Sequence, residues 1–451
     1  MENKITKIIA EEIKDSRGNP TIKVTVFACP PLEGAEYVFD SFSVPSGAST
    51  GAHEAHELRD PEPEQARYGA GDNGKGGMKK AIWNVENIIA PALIGKDILN
   101  QKEIDRIMIE LDGTANKDNL GGNSMIGVSI ACAKTAAKVS NVEIFEHLRT
   151  LMEIKPSLRL GSGQAKRIPH LYMNLINGGK HVLRQGSGQA KNDLVFQEYH
   201  VVPNTEDAVE AVEIGIKIQN SLKEIILKEL GEESLVLGDE GGFAPKISDI
   251  RKPLEYLSKA IKENNLEDKV RLALDVASSS FYKDGKYKVD GKDPKGKQAS
   301  YGAGISKEEL MDIYNSLITE FNLLSIEDPF DEEDFESFRK LKENQNNLIV
   351  VGDDLTVTNK VLLKEAIEKN SINAMIIKPN QIGTLTETLE TMQLARLNGV
   401  ELIVSHRSGE TEDSFIADLA YAFGCFGLKS GAPEKSERKV KYDRLIKISK
   451  I

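Results

Sequence analysis

The chain has only three cysteines in 451 residues, Cys29, Cys132 and Cys425, too few and too scattered for a disulfide framework or a CxxC metal clip. Buried free thiols are the expected state. Basic residues are in deficit: 58 lysines and arginines face 70 acids, and the formal charge of −12 repels nucleic acid and anionic lipid. No uncharged apolar run reaches the roughly 18 residues that span a bilayer. The opening Met1 to Glu12 places acids straight after a short apolar patch, so it lacks the apolar core of a secretory signal. A cytoplasmic location is expected, without nucleic-acid partners or a membrane span. What remains, 40% hydrophobic and 28% charged residues, is the balance of an ordinary globular chain, long enough at roughly 150 residues per domain for two or three domains.

A turn cluster at Asp15–Pro20 precedes Thr21–Phe27, whose alternation has the period of a half-buried strand, and Tyr37–Val44 reads as a returning strand. Helical periodicity follows near Lys79–Ile89 and Ser124–Lys138. Strands followed by helices predict a small α+β domain. From about residue 200, short β-branched or leucine-rich runs alternate with amphipathic helices, the pattern of parallel βα units. The predicted strands are 235–237, 270–274, 323–326, 348–351, 374–377, 402–404 and 426–428. They run into Asp239-Glu240, Asp275, Glu327, Asp353, Lys378, His406-Arg407 and Lys429. A closed barrel gathers its strand C-termini on one face, so these residues are expected in one pocket. Acids also cap helices that follow strands, but capping does not account for three carboxylates and then a lysine in strand order. The repeated GSGQAK at 161–166 and 186–191 has a linker's composition and reads as surface-loop decoration.

Asp275, Glu327 and Asp353 offer three hard oxygen donors, which suit Mg²⁺ and serve zinc poorly. Taken alone, Lys378 reads first as an ion-paired structural residue, but beside the carboxylates and opposite Glu240, desolvation and nearby cations predict a lowered pKa that fits it to act as a base. Glu240, in Gly238-Asp239-Glu240-Gly241-Gly242, is the candidate acid opposite it. His406-Arg407-Ser408-Gly409 combines an imidazole, a planar fork donor and a hydroxyl, an anchor for phosphate to which Lys429 adds charge. Ser46–Gly51 lacks P-loop spacing and reads as a mobile lid able to lend oxygen ligands.

These residues resemble the enolase family, in its bacterial form, through essentially the whole chain. The similar segments are DSRGNPT (15–21), SGASTG (46–51), NGGKH (177–181), Gln197-Glu198, GDEGGFAP (238–245), SIEDPF (325–330), GDDLTVTN (352–359), KPNQIGTL (378–385) and SHRSGETED (405–413). The resemblance implies an α/β protein: an N-terminal α+β domain, taken as 1–152, on an eight-stranded TIM-like barrel, taken as 153–451, whose first connections depart from βα alternation. It implies dehydration of 2-phospho-D-glycerate to phosphoenolpyruvate with two Mg²⁺ ions during turnover. Asp275, Glu327 and Asp353 would hold one ion, and Ser49 would help with the second. Lys378 would be the base and Glu240 the acid supported by Glu198, with His181 and His406 also catalytic. Gln197, His181, Arg407, Ser408 and Lys429 would line the substrate and phosphate region. A homodimer or higher homo-oligomer is implied as well.

The sequence departs from the family pattern in four places. Val182 follows His181 where alanine is usual, Arg184–Lys191 reads as an insertion, Leu151–Leu160 as a lengthened connection, and Ser280 stands where a glutamate commonly follows the Asp275 motif. An acid-sugar dehydratase or racemase would share the carboxylates and the lysine, but the phosphate-directed set favours enolase. Enolases also act on some cell surfaces as receptors for plasminogen or other host proteins. That sets a second expectation of surface display or secretion, with the inserted loops and the terminal Lys450-Ile451 as contacts, although charge of this kind reads first as a solvated surface.

Overall fold

The computed structural model describes residues 3–29, 37–47, 51, 53–61, 76–152, 168–179, 194–289, 291–292, 298–299 and 304–451. Strands β1 (Ile5–Lys14), β2 (Pro20–Ala28) and β3 (Val38–Ser43) form an antiparallel meander. The turn between the first two is built by Asp15, whose Oδ1 accepts from the Arg17 and Asn19 amides at 2.9 and 2.8 Å. Gly18 supplies the left-handed φ of +80° that this turn requires. Alternation along β2 turns Ile22, Val24, Val26 and Ala28 to the core. There they meet the helix Gly122–Val139, nearly all of which is buried. At Gly127 a Cβ would stand 2.7 Å from Val24 Cγ2, so glycine is what lets helix and sheet come this close.

The two predicted helices are present, the first as Lys79–Asn84 continued by a π-turn at Val85–Ile89 and by Ala90–Leu93. Pro91 has no amide hydrogen to give the ordinary α-helical bond, a local cause for the widened turn. Two more helices, Gln101–Asp112 and Ile144–Leu151, complete this part of the chain.

Eight strands then close a barrel: β4 (His170–Asn177), β5 (Glu198–Pro203), β6 (Val270–Asp275), β7 (Ser325–Glu327), β8 (Ile349–Gly352), β9 (Ala374–Ile377), β10 (Glu401–Ser405) and β11 (Gly427–Lys429). Neighbours are parallel except β4 with β5 and β5 with β6, which are antiparallel. The early connections therefore do depart from βα alternation. Six of the seven predicted strands are found, and the one at 235–237 is not. There Glu232–Ser234 forms a single 3-10 turn, Leu237 makes only an isolated bridge to Phe243, and Val236 and Leu237 are exposed. The first two barrel positions, which no predicted strand covered, belong to β4 and β5. Antiparallel β4 and β5 need no crossover helix, so the βα rhythm did not mark them.

Tyr172, Val202, Ala273, Val351, Ala374, Ile376 and Ile403 fill the barrel interior, and the main core lies between strands and helices. The N-terminal elements are tied to the barrel at named points. Asp105 accepts from Thr386 N and Oγ1 at 2.9 and 2.6 Å, the Leu385 amide donates to Ser129 Oγ, and Lys117 pairs with Glu387 at 2.8 Å. Among the described residues no helix is long and apolar enough to cross a membrane.

Candidate active site

Strand register does the gathering. Glu198 at the start of antiparallel β5 pairs with Asp275 at the end of β6, and Asp275 pairs with Glu327 at the end of β7. Asp353 and Lys378 follow β8 and β9, His406 and Arg407 follow β10, and Lys429 closes β11. Gln197, Glu198, Glu240, Asp275, Asp353, Lys378, His406, Arg407, Ser408 and Lys429 all line one cavity, with Glu54, Asp328 and Asp354. Ser49 and His181 lie outside the described residues.

The most buried cation is Lys429. Its Nζ is 2.8 Å from Asp275 Oδ2, 2.9 Å from Glu327 Oε1 and 3.2 Å from Glu198 Oε2. Burial disfavours its charge, but Asp275, Glu198 and Glu327 outweigh burial and hold its pKa well above the usual lysine value. Glu327 lies behind this ammonium rather than on the cavity wall. Burial, and next the charge of Asp275, push its pKa well up. Gln197 Nε2 donates to Asp275 Oδ2 at 3.3 Å.

Lys378 differs from the sequence expectation. Its Nζ forms a close ion pair with Asp353, a carboxylate that also accepts from Gln381 Nε2 at 3.2 Å. Burial does lower the lysine's pKa, as expected, yet the Asp353 charge outweighs it and the net shift is upward. Reciprocally, burial raises Asp353, but Lys378 and Lys429 together hold it below the usual value. As it stands, then, Lys378 is an ammonium.

On the opposite wall Glu240 Oε2 accepts from Asn174 Nδ2 at 3.0 Å and faces His406 Nε2 at 3.3 Å. Arg438, fully buried on the last helix, reaches His406 Nδ1 at 2.5 Å and the Arg407 and Ser408 carbonyls at 2.6 and 2.7 Å. An arginine can only donate, so it leaves the proton of a neutral His406 on Nε2, toward Glu240. Burial lowers the pKa of His406. Arg407 is forked on Glu54, two of its nitrogens standing 3.0 Å from Oε2, and it donates to Asn380 Oδ1 at 3.1 Å. Ser408 Oγ accepts from Arg17 Nη1 at 3.3 Å. Ser280 is an exposed turn residue and takes no part in the cavity.

The donor set fits a hard cation. Asp275, Glu327 and Asp353 converge on the barrel mouth with Lys429 across the first two and Lys378 on the third. Among the described residues two acid-rich groups bring donor atoms within 4.8 Å of one another: Glu198 with Glu240 and His406, and Asp328 with Asp353 and Asp354. Asp328 is buried, and its two oxygens accept from the Asp353 and Asp354 amides at 2.9 and 2.8 Å. Burial, then Asp353, raises Asp354 to about 7. The second group is all-oxygen and could hold magnesium, the first includes the His406 nitrogen, and neither includes Asp275 or Glu327, which Lys429 holds instead. Glu54, Asp328, Gln381 and Arg438 were not singled out from the sequence. Asp328 adjoins Glu327 within SIEDPF and Gln381 follows Lys378 within KPNQIGTL, whereas Glu54 and Arg438 are brought in by folding from distant segments.

A barrel whose strand ends gather carboxylates, two buried lysines and an arginine around one cavity has the architecture of an enzyme active site. Residues 5–148 match the family model described as Enolase, N-terminal domain, and residues 165–450 match Enolase, C-terminal TIM barrel domain. Proteins named Enolase align along nearly the full chain. That of Methanocaldococcus jannaschii is 44% identical over 98% of this chain and 94% of its own. Those of Methanopyrus kandleri and Thermococcus kodakarensis are each 42% identical over 99% of this chain and 95% of theirs. The chain belongs to the enolase family. These three relatives are archaeal, so the similarity does not single out a bacterial form.

Proposed function

We propose that the protein is a phosphopyruvate hydratase, the glycolytic lyase that removes water from 2-phospho-D-glycerate to give phosphoenolpyruvate and that runs reversibly in gluconeogenesis. The observation that carries this reading is the placing of Lys378 and Glu240 on one cavity wall system that also holds Arg407 and Ser408. A base, an acid and an anion fork thus share one small space. Lys378 takes the proton from C2, and Glu240 delivers a proton to the C3 hydroxyl as it leaves, so a C2–C3 double bond forms and one water departs. Arg407 and Ser408 bind the phosphate, which requires the Arg407 fork to exchange Glu54 for the substrate. Gln197 and Lys429 bound the substrate region, and Glu198 and His406 flank the acid.

Asp275, Glu327 and Asp353 would hold Mg²⁺, with Ser49 assigned to a second ion. Mg²⁺ in such a site supplies Lewis-acid stabilisation of the charge that builds on the substrate carboxylate when C2 loses its proton. A cation held by Asp353 would offset the charge that keeps Lys378 protonated, and burial, Arg407 and Lys429, each of which lowers the pKa of Lys378, would then favour its neutral, basic form.

The test is phosphoenolpyruvate formation, followed by ultraviolet absorbance, from 2-phosphoglycerate with Mg²⁺ and with chelator. Metal-dependent turnover, absent with unphosphorylated sugar acids, is the expected result. A folded protein inactive on 2-phosphoglycerate would overturn the reading. The homo-oligomer and the cytoplasmic location are carried forward on the family resemblance, and light scattering tests the first. The loop Arg184–Lys191, on which host-protein contact was set, lies outside the described residues.

A further inference from the structure

One buried titratable side chain of the barrel has no part in this chemistry. Alternate residues of a strand share a face, and on β5 the inward set is Glu198, His200 and Val202. Val202 belongs to the interior cluster, while Tyr199 and Val201 pack in the outer core. His200 therefore sits between the apolar barrel floor and the charged mouth, and it is buried. Its Nε2 is 2.8 Å from Glu198 Oε2, the same oxygen that Lys429 Nζ approaches at 3.2 Å. The ring lies edge-to-face on Tyr172, with centroids 5.8 Å apart and planes at 75°. Nδ1 meets no hydrogen-bond partner among the described residues.

We propose that His200 is a positioning residue for Glu198: seated on Tyr172 as an Nε2–H donor, it fixes that carboxylate against Lys429 and beside Glu240 and His406. Three observations support it. Only Nε2 has an acceptor, so a proton on Nδ1 would be buried unsatisfied. Packing alone does not call for a histidine, since leucine or methionine fills such a space without a polar nitrogen. Finally, a Glu198 oxygen lies within 4.8 Å of donor atoms of both Glu240 and His406. A glutamate that swings away from this contact leaves the acid's surroundings altered, and displacements of about 1 Å at such sites cost up to roughly 100-fold in rate.

The inference rests on the reading of Glu240 as the acid, and its test separates the two. Nitrogen-15 NMR of the histidine rings in the intact, substrate-free protein should find a proton on His200 Nε2, and Glu198→Gln should move that resonance. An Nε2 without a proton, or a resonance indifferent to Glu198→Gln, overturns the proposal whether or not the protein turns over 2-phosphoglycerate. In turnover, His200→Leu should lower kcat by about tenfold with KM within about twofold. His200→Gln places an amide nitrogen where Nε2 stands and should recover kcat to within about threefold of the parent. A kcat for His200→Leu within about twofold of the parent, or equal losses in both variants, refutes it. Where His200→Leu does not fold, His200→Met supplies the apolar variant. An inactive parent refutes the function proposed above, and the NMR result still decides the His200–Glu198 contact.

Discussion

Replacing Lys378 by methionine separates its two roles, because the unbranched side chain keeps the volume and removes only the charge. In the structure the ammonium is paired with Asp353, and both side chains are largely buried, 14% and 9% exposed. Removing one member of a buried pair leaves the other charge uncompensated, a loss of about 3 kcal/mol or more. The metal-free variant should therefore unfold at lower urea than the parent. Mg²⁺ binding should move the other way. The dication no longer competes with an ammonium for Asp353, and the end of that repulsion is worth at least about 1.4 kcal/mol, a tenfold gain in affinity. Turnover should fall by at least about 100-fold, the lower end of what a positioned base contributes. Urea unfolding in chelator, calorimetric Mg²⁺ titration and the absorbance assay read the three effects separately. Asp353→Asn is the control that should weaken Mg²⁺ while leaving Lys378 in place. Weaker Mg²⁺ binding in Lys378→Met would refute the competition, and turnover within tenfold of the parent would remove Lys378 as the base.

Three further perturbations test other parts of the site and fold. Arg407→Lys keeps the charge but loses the planar fork, so KM for 2-phosphoglycerate should rise by about tenfold or more; an unchanged KM would move the phosphate elsewhere. Asp354, raised to about 7, binds its proton more tightly folded than unfolded, where its pKa is near 4. Through Asp354 alone, metal-free stability should therefore fall by roughly 4 kcal/mol as pH rises from about 4 to about 7, and Glu327 and Asp328, both shifted well up, act in the same sense. Asp353, shifted downward, contributes in the opposite sense only below about pH 4. Mg²⁺ should flatten the fall, because it binds the ionised carboxylates, and melting curves in chelator that hold level between pH 5 and 7.5 would refute this account. Gly127→Ala forces a Cβ to within 2.7 Å of Val24 Cγ2, and overpacking of this kind should cost about 1–3 kcal/mol in urea unfolding. A neutral result would show that helix and sheet can part there.

Much of the barrel was legible because its later strands are short apolar runs ending in charge, and parallel βα units repeat at near-constant spacing. The ordered ends Asp275, Glu327, Asp353, Lys378, His406 and Lys429 needed only closure to meet. What could not be read depends on antiparallel pairing or on contacts across long sequence gaps. β4 and β5 lack the crossover that marks their neighbours, and the apolar triplet at 235–237 was taken in their stead. Glu54 reaches Arg407 across 353 positions. Arg438 reaches His406 across 32 from a helix whose sequence shows only mixed charge. The sign of the Lys378 shift was lost for a related reason. Spacing shows that a lysine and three acids share a barrel mouth, but only geometry shows which acid the lysine meets.

That geometry gives the site a single electrostatic logic. Asp275, Glu327, Asp353, Asp328, Glu198 and Glu240 are buried at one mouth, and isolated charges in such a place are costly. The protein offsets this with its own cations, Lys429 across Asp275, Glu198 and Glu327 and Lys378 on Asp353. Neutralisation by lysines lets the barrel fold around buried carboxylates, and it also holds Lys378 as an ammonium. If Lys378 is the base proposed above, a cation bound at the carboxylates and the activation of the lysine would be one event, since the same Asp353 charge cannot serve both partners at full strength, and proton abstraction would be tied to a loaded site.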